Sequence, residues 1–145
     1  LAGASWSPDG KSILFTTDIS SRMNLWTVNA AGGWPVQLSQ SDERQYNGTW
    51  SPDGKWIVFQ QDTAGNELWD LFAIPSDGGA AVNLTGTPDV REEGPRWSPD
   101  GKSIAFVEGL MSDEGFHGGD LYTISATGQT VVAKVVSRTG RKRWA

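Results

Sequence analysis

The chain of 145 residues contains no cysteine, a single histidine and no long apolar run. The lack of cysteine excludes disulfides, thiolate nucleophiles and cysteine metal sites. No apolar run approaches the roughly 18 residues that a membrane-spanning helix needs, and the N-terminus lacks the basic-then-apolar order of a signal peptide. We therefore expect a soluble protein with no membrane partner. A cytoplasmic location and a periplasmic or secreted one both stay open.

Basic side chains are scarce over most of the chain. Residues 1–133 carry 17 acidic and 7 basic side chains, whereas residues 134–145 carry 5 basic and no acidic ones. Phosphate binding needs a basic surface, so an acidic body argues against nucleic acid as a partner. We interpret the short basic cluster as a solvated linker or a local contact rather than a nucleic-acid arm. It consists of Lys134, Arg138, Arg141, Lys142 and Arg143.

What the chain does contain is the hexapeptide WSPDGK, three times. Its tryptophans are Trp6, Trp50 and Trp97, which are 44 and then 47 residues apart. A fixed period of this length is the signature of a repeat architecture. The final Arg143-Trp144 echoes Arg96-Trp97, which predicts that a fourth repeat starts at residue 144.

Each repeat contains the same series of short apolar segments. With the piece that carries the tryptophan, there are four per repeat, and their β-branched and aromatic composition favours strands. The second segments are Ser12–Phe15, Trp56–Phe59 and Ser103–Phe106; the third are Leu25–Val28, Leu71–Ile74 and Leu121–Ile124; the fourth are Pro35–Leu38, Ala81–Leu84 and Thr130–Ala133. The glycine and proline density and the short segments exclude helical repeats.

Four short strands every 40 to 50 residues are typical of a β-propeller blade. We predict an all-β fold, a partial β-propeller of three consecutive four-stranded antiparallel blades. The domain covers residues 1–145, with repeats at about 4–48, 49–95 and 96–143. Closed propellers have about four to eight blades, so three blades leave two open apolar faces. We expect the remaining blades to cover these faces, or a second copy of the chain to pair with them.

WSPDGK itself is best explained as a hairpin between the first two strands of a blade. Proline fixes φ for a type I turn, glycine supplies a left-handed residue, serine accepts backbone hydrogen bonds and tryptophan packs between blades. Strand alternation then places the longer, charged loops on the opposite face, together with the blade links Ser39–Gly48 and Thr85–Pro95. Function in repeat proteins collects where insertions collect, so that opposite face is the expected working surface.

The unit xWSPDGKxIxF at residues 5–15, 49–59 and 96–106 resembles the TolB-like, WD-like propeller repeats. A narrower resemblance lies in residues 59–72, followed by Gly78-Gly79 and Asn83-Leu84-Thr85. This stretch is similar to the N-terminal propeller of prolyl oligopeptidase family serine peptidases, the acylaminoacyl and dipeptidyl peptidase branch. Related segments also occur in TolB-like propellers attached to amidohydrolases.

The peptidase resemblance implies a non-catalytic domain that covers the active site of an α/β-hydrolase domain and filters peptide substrates by size. Such a hydrolase carries its nucleophile in a G-x-S-x-G elbow. That motif is absent from residues 1–145, so we expect this chain alone not to be an enzyme, and a parent protein to be a serine peptidase. The resemblance implies a hydrolase domain and a peptide substrate as partners. The alternative is a TolB-like module that binds partner proteins without an associated enzyme.

Two groups of polar residues are candidates for a site. Dipeptidyl peptidases hold the substrate amino terminus with two propeller glutamates, which draws attention to Glu92 and Glu93. Here the pair lies in the link to the third motif rather than on a helical insertion, so a solvated blade link is the plainer interpretation.

The second candidate is the loop that holds His117, the only histidine, beside Asp113, Glu114 and Asp120. These are possible cation or zinc ligands, but their spacing fits neither an EF-hand nor a zinc signature. We predict a surface loop with no metal and no cofactor. His117 then stays only as a candidate substrate contact.

Overall fold

A computed structural model describes residues 1–109, 119–126 and 133–136 of the chain. Within these residues, twelve strands form three four-stranded antiparallel sheets, and each sheet follows chain order. The first blade consists of β1 (Ala2–Trp6), β2 (Ser12–Thr17), β3 (Asn24–Asn29) and β4 (Val36–Gln37). The second consists of β5 (Gln45–Trp50), β6 (Trp56–Gln61), β7 (Asp70–Pro75) and β8 (Val82–Asn83); the third of β9 (Arg91–Trp97), β10 (Ser103–Gly109), β11 (Gly119–Ser125) and β12 (Ala133–Val136). The predicted all-β partial propeller of three blades is confirmed.

The three hairpins share one register. Each motif tryptophan, the last residue of the first strand, pairs with an isoleucine at the start of the second, and these pairs are Trp6 with Ile13, Trp50 with Ile57 and Trp97 with Ile104. A one-residue slip would move every apolar side chain to the wrong face of its strand. The fixed register therefore keeps the same side of each blade turned toward its neighbour.

The cores lie between blades rather than within one sheet. Leu14 and Leu25 of the first blade pack with Ile57, Phe59 and Ile74 of the second, and Trp50 closes this cluster. The opposite side of the second blade packs on the third in a cluster of Val58, Leu71, Ala73, Leu84, Ile104, Phe106 and Ile124, with Trp97 and Tyr122 at its edge. A blade is thus apolar on both sides because each side is an interface.

The first strands of the blades converge. β5 lies against β1 and β9 lies against β5, whereas β4 and β8 lie against only the third strand of their own blade, as far as the described residues go. The first strands are therefore the inner ones, nearest the axis of the propeller, and the fourth strands are the outer ones.

Some element bounds differ from the sequence prediction. The blade links are shorter than expected, because β5 begins at Gln45 and β9 at Arg91. The outer strands β4 and β8 have two residues each, and the third outer strand begins at Ala133, the last residue of the predicted segment. Residues 130–132 and the proposed fourth repeat at Trp144 lie outside the described residues. Among those described, no helix has the length and apolarity needed to cross a membrane.

Strand alternation gives the domain two ends. The WSPDGK turns lie at one end, which we call the hairpin face. The segments 18–23 and 62–69 between second and third strands, and the blade links 38–44 and 84–90, lie at the other end, which we call the loop face.

Candidate functional site

The WSPDGK turns form the same hydrogen-bond unit three times. In the first, the Ser7 hydroxyl accepts from the Ser12 amide at 2.9 Å and donates to an Asp9 carboxylate oxygen at 2.7 Å. That oxygen also accepts the Lys11 amide at 3.0 Å, and Gly10 takes the left-handed φ of 69°. The units at Ser51 and Ser98 repeat these contacts within 0.1 Å. The serine hydroxyl and the aspartate carboxylate thus bond within the turn itself, which supports a scaffold role.

The hairpins also join blades. The Trp50 indole N–H donates to the Ser5 carbonyl, and the Trp97 indole N–H donates to the Thr49 carbonyl, both at 3.2 Å. In each pair the acceptor is the residue before the motif tryptophan of the preceding blade. The tryptophan of the motif therefore joins each blade to the preceding one. Trp6 has the corresponding position on the open side of the first blade, and it is 62% exposed.

The inner strands carry a second repeated feature, a β-bulge three residues before each motif tryptophan. Gly3, Asn47 and Gly94 occupy this position with φ values of 53°, 54° and 62°. The register of each hairpin shifts there. The buried Gln60 side-chain oxygen accepts from the Asn47 side chain at 2.7 Å and from the Gly94 amide at 3.2 Å, so one amide group ties two neighbouring bulges together.

A cavity of about 320 Å³ opens beside these bulges, along the inner strands. Asn47, Glu93, Gly94 and Val107 line it. The Glu93 carboxylate forms an ion pair with Arg91 on the same strand, and its side chain is 17% exposed. Glu93 is thus oriented and accessible from the cavity, as a contact for a polar or cationic group would need to be.

Glu92 faces the other way, because successive side chains of a strand point to opposite sides of the sheet. It is fully buried between the second and third blades, where one carboxyl oxygen accepts the Thr85 hydroxyl at 3.1 Å. Burial raises the pKa of Glu92 to about 8, and the charge of Asp70 acts in the same direction. The expectation of a solvated link is therefore wrong for Glu92. Its position opposite Glu93 also prevents the two glutamates from holding one ammonium group together.

The loop face has a hydrogen-bonded polar centre that sequence reasoning missed. Arg44 of the blade link donates from its backbone amide and its guanidinium to Asp62, which is fully buried. The guanidinium also lies 5.4 Å from the centre of the Trp69 ring, and Tyr46 meets the same ring edge-on at 5.4 Å. These contacts fix two loop-face segments against each other. We call Tyr46, Arg44, Asp62 and Trp69 the Arg44 cluster.

A repeated hairpin, four-stranded blades and apolar inter-blade cores are the features of a β-propeller. The family model described as the TolB beta propeller domain matches residues 2–143. The chain belongs to this family. No curated protein matches the sequence.

Solved structures place this TolB-like domain among propellers of different proteins. A protein of Agrobacterium tumefaciens assigned as a TolB is 21% identical, with a TM-score of 0.75 over 92% of this chain and 49% of its own length. A puromycin hydrolase is 22% identical, with a TM-score of 0.62 over 92% of this chain and 22% of its own. Prolyl oligopeptidase B from Galerina marginata is 12% identical, with a TM-score of 0.67 over 92% and 20%. The chain therefore spans half or less of each relative, and the likeness concerns the fold.

The TolB-like domain has a second depression, of about 410 Å³, on the loop face of the first blade. Its lining is polar and consists of Ser20, Arg22, Asn24, Gln37, Gln40, Ser41 and Asp42. The buried Asn24 side chain there accepts the Ser41 amide at 3.1 Å and donates to the Ser41 carbonyl at 3.1 Å, which shapes the first blade link. This depression can offer hydrogen bonds to a partner, and it is assembled from the segments that the sequence assigned to the working surface.

Groups that could do covalent chemistry are sparse in the described part of the domain. Residues 1–109, 119–126 and 133–136 contain no group of three or more histidine, cysteine, aspartate and glutamate side chains arranged to hold a metal ion. His117, Asp113 and Glu114 lie outside these residues, while Asp120 lies in β11 opposite Glu108. The polar groups suited to binding lie in the Glu93 cavity and in the depression on the loop face.

Proposed function

We propose that this TolB-like domain is the propeller portion of a prolyl oligopeptidase-like serine peptidase, and that it gates peptide access to a hydrolase domain. The observation that carries the proposal is the accessible Glu93 carboxylate in a cavity along the inner strands. A peptide that passes along the axis of the propeller would meet this carboxylate. The free amino terminus of such a peptide is positively charged and therefore complementary to the carboxylate.

The hydrogen bonds of the loop face support the same proposal. A gate that filters by size needs loops that keep their shape, and the Arg44 cluster joins the blade link to the segment before β7 by charge-assisted hydrogen bonds to a buried carboxylate. The likeness to puromycin hydrolase and to prolyl oligopeptidase B agrees with this proposal at the level of the fold.

A second candidate function is a TolB-like module that docks a partner protein and has no associated enzyme. The polar depression at Ser20, Asn24 and Gln37 favours it, because its lining combines neutral hydrogen-bonding groups with one charge of each sign, Arg22 and Asp42. In both cases the open sides of the first and third blades, where Trp6 and Val107 are exposed, would be covered by further blades or by a second copy. Because Val107 also lines the Glu93 cavity, the proposed peptide contact requires that this cover leave the cavity open.

Peptide binding can be tested on the chain itself. The probe is a decapeptide labelled at its carboxyl end, with either a free or an acetylated amino terminus, and fluorescence anisotropy measures its affinity. We expect tighter binding of the free form, and we expect Glu93→Gln to remove most of that preference because it removes the charge. Glu92→Gln is the matched control, since it makes the same change one residue away inside the core. Equal binding of both peptides by the wild type would contradict the proposed contact.

The association with a hydrolase is tested separately, on the complete protein. A reading frame that continues through about 250 residues of alternating strand and helix with a G-x-S-x-G elbow supports the peptidase. Removal of the propeller should then raise cleavage of long substrates relative to short ones. A frame that ends after further blades, without such an elbow, would decide for the docking module.

A further inference from the structure

Glu92 has a structural counterpart in the preceding blade. It lies five residues before Trp97, and Gln45 lies five residues before Trp50. Both are buried at the start of an inner strand. The Gln45 amide donates to the Met23 carbonyl and the Glu92 amide donates to the Trp69 carbonyl, each at 2.8 Å. Met23 and Trp69 each lie two residues before a leucine of the third strand.

Both side chains end the same series of two hydrogen bonds, from a backbone amide to a hydroxyl and from that hydroxyl to the side-chain oxygen, which we call the hydroxyl relay. The Leu25 amide donates to the Ser39 hydroxyl at 3.0 Å, and that hydroxyl donates to the Gln45 side-chain oxygen. One blade later the Leu71 amide donates to the Thr85 hydroxyl at 3.0 Å, and that hydroxyl donates to Glu92. The relay fastens each blade link to the third strand of the blade that precedes it.

The two positions differ in what they meet on the second strand. Gln45 donates its side-chain amide to Gln61 at 2.8 Å, so it is neutral and satisfied. The residue paired with Glu92 is Glu108, at the position that Gln61 has in β6. The other Glu92 oxygen is buried and has no hydrogen-bond partner among the described residues. A proton on that carboxyl would make Glu92 resemble a glutamine in shape and charge.

The surroundings disfavour a charge at this point. Among the described residues, the ionisable groups that act on Glu92 from neighbouring elements are Asp70 on β7 and Glu108 on β10, and both are acids. Thr85 and Thr87 supply neutral hydroxyls. A buried charge without a cation costs far more than a buried neutral group.

We propose that Glu92 is a proton-operated latch between the second and third blades: the protonated side chain holds the loop-face end of this junction closed, and ionisation loosens it. The junction between the first and second blades, with Gln45 in the same place, is then insensitive to pH. The consequence is that the loop-face end of the junction between the second and third blades opens as the pH rises through the neutral range.

The direction follows from proton linkage. The pKa of Glu92 is about 8 in the folded domain, against 4.5 in the exposed side chain. The folded state therefore holds the proton more tightly, so the latch is fully effective below the lower value and is lost as the pH rises toward the higher one. Between the two, the equilibrium constant for local opening should increase up to about tenfold per pH unit.

Hydrogen exchange can measure this opening at two backbone amides of each junction, the amide that starts the hydroxyl relay and the amide of the buried residue where the relay ends. Protection factors, corrected for the intrinsic pH dependence of exchange, are compared between about pH 6 and about pH 8, where linkage predicts the change. We expect protection at Leu71 and Glu92 to fall with pH while protection at Leu25 and Gln45 stays constant. Glu92→Gln should remove the fall, and the reciprocal Gln45→Glu should create one at Leu25 and at position 45.

A carbon-13 titration of the Glu92 carboxyl in the wild-type chain keeps the test decisive if a variant does not fold. A midpoint well above 4.5 supports the latch. A midpoint near that value, or pH-independent protection at Leu71 and Glu92 in the wild type, would overturn it. Peptide binding at Glu93 has no part in these measurements, so the latch and the proposed function fail independently.

Discussion

Trp97 donates its indole N–H to the backbone carbonyl of Thr49, at a distance of 3.2 Å between Nε1 and the oxygen. The bond crosses from the third blade to the second, and the Trp97 ring packs on the cluster that joins these blades. One side chain thus supplies both a polar and an apolar part of the interface. Trp50 does the same one blade earlier, toward Ser5.

The two contributions of Trp97 can be separated by substitution. Trp97→Phe keeps most of the packing and loses the hydrogen bond, so we expect a loss of about 1 kcal/mol in the free energy of unfolding. Trp97→Ala also leaves a cavity and should cost about 3 to 5 kcal/mol. Urea denaturation measures both values. Trp34→Phe is the control because Trp34 is 92% exposed, and an equal loss there would refute an interface role specific to Trp97.

The turn aspartates should make the domain sensitive to acid. Hydrogen bonds from Ser7, Ser51 and Ser98 lower the pKa of Asp9, Asp53 and Asp100 below the ordinary value of 3.8. A depressed folded pKa means that the stabilisation is present above the ordinary value and is lost as the pH falls through the folded one.

We therefore expect a triple variant with asparagine at these three turns to lose stability at neutral pH, and to show a shallower decline than the wild type below about pH 4, where carboxylates titrate. Urea midpoints as a function of pH measure this. Asp77→Asn, in a turn between third and fourth strands, is a single-site control. If the urea midpoint fell equally steeply with acid for the wild type and the triple variant, the serine contacts would not stabilise the charged form of the aspartates.

Much of this fold was predictable from the repeat. Short strands, hairpin turns and apolar segments are local signals, so the blade number, the left-handed Gly10 and the accepting role of Ser7 follow from residues close in sequence. The Arg44 cluster was not predictable, because Arg44 and Asp62 are 18 residues apart and meet only through the sheet. The burial of Glu92 was not predictable either, because the start of β9 depends on pairing with β10.

The inner-strand bulge had a sequence signal that can now be recognised. Residues that tolerate a left-handed backbone occur three positions before every motif tryptophan, as Gly3, Asn47 and Gly94. At Gly94 an added Cβ would meet nothing within 4 Å, so the backbone conformation alone should decide which residues fit. Asparagine already occupies the position in the second blade.

Gly94→Ala and Gly94→Asn therefore form an informative pair. The φ of 62° should make alanine destabilising by about 1 kcal/mol, whereas asparagine tolerates this region and should cost less. Thermal unfolding of the two variants gives the comparison. If alanine were tolerated better than asparagine, conformational strain would not be the reason for glycine at this bulge.

The last prediction concerns the guanidinium of Arg44, whose pKa is raised mainly by its hydrogen bonds to Asp62. The planar guanidinium donates two hydrogen bonds to Asp62 and at the same time lies over the Trp69 ring. Lysine keeps the charge but cannot reproduce this geometry. Because the Arg44 side chain is 37% exposed, water screens part of the attraction, and we expect Arg44→Lys to cost about 1 to 2 kcal/mol.

The loss should be accompanied by faster hydrogen exchange at the Asp62 amide, which donates to the Arg44 carbonyl. Arg22→Lys is the matched control, since Arg22 is an exposed arginine on the loop face of the first blade. Asp62→Asn combined with Arg44→Lys completes a double-mutant cycle, in which a coupling energy well above zero is expected. Additive effects would mean that Arg44 stabilises the loop face through its contact with Trp69 rather than through the buried carboxylate.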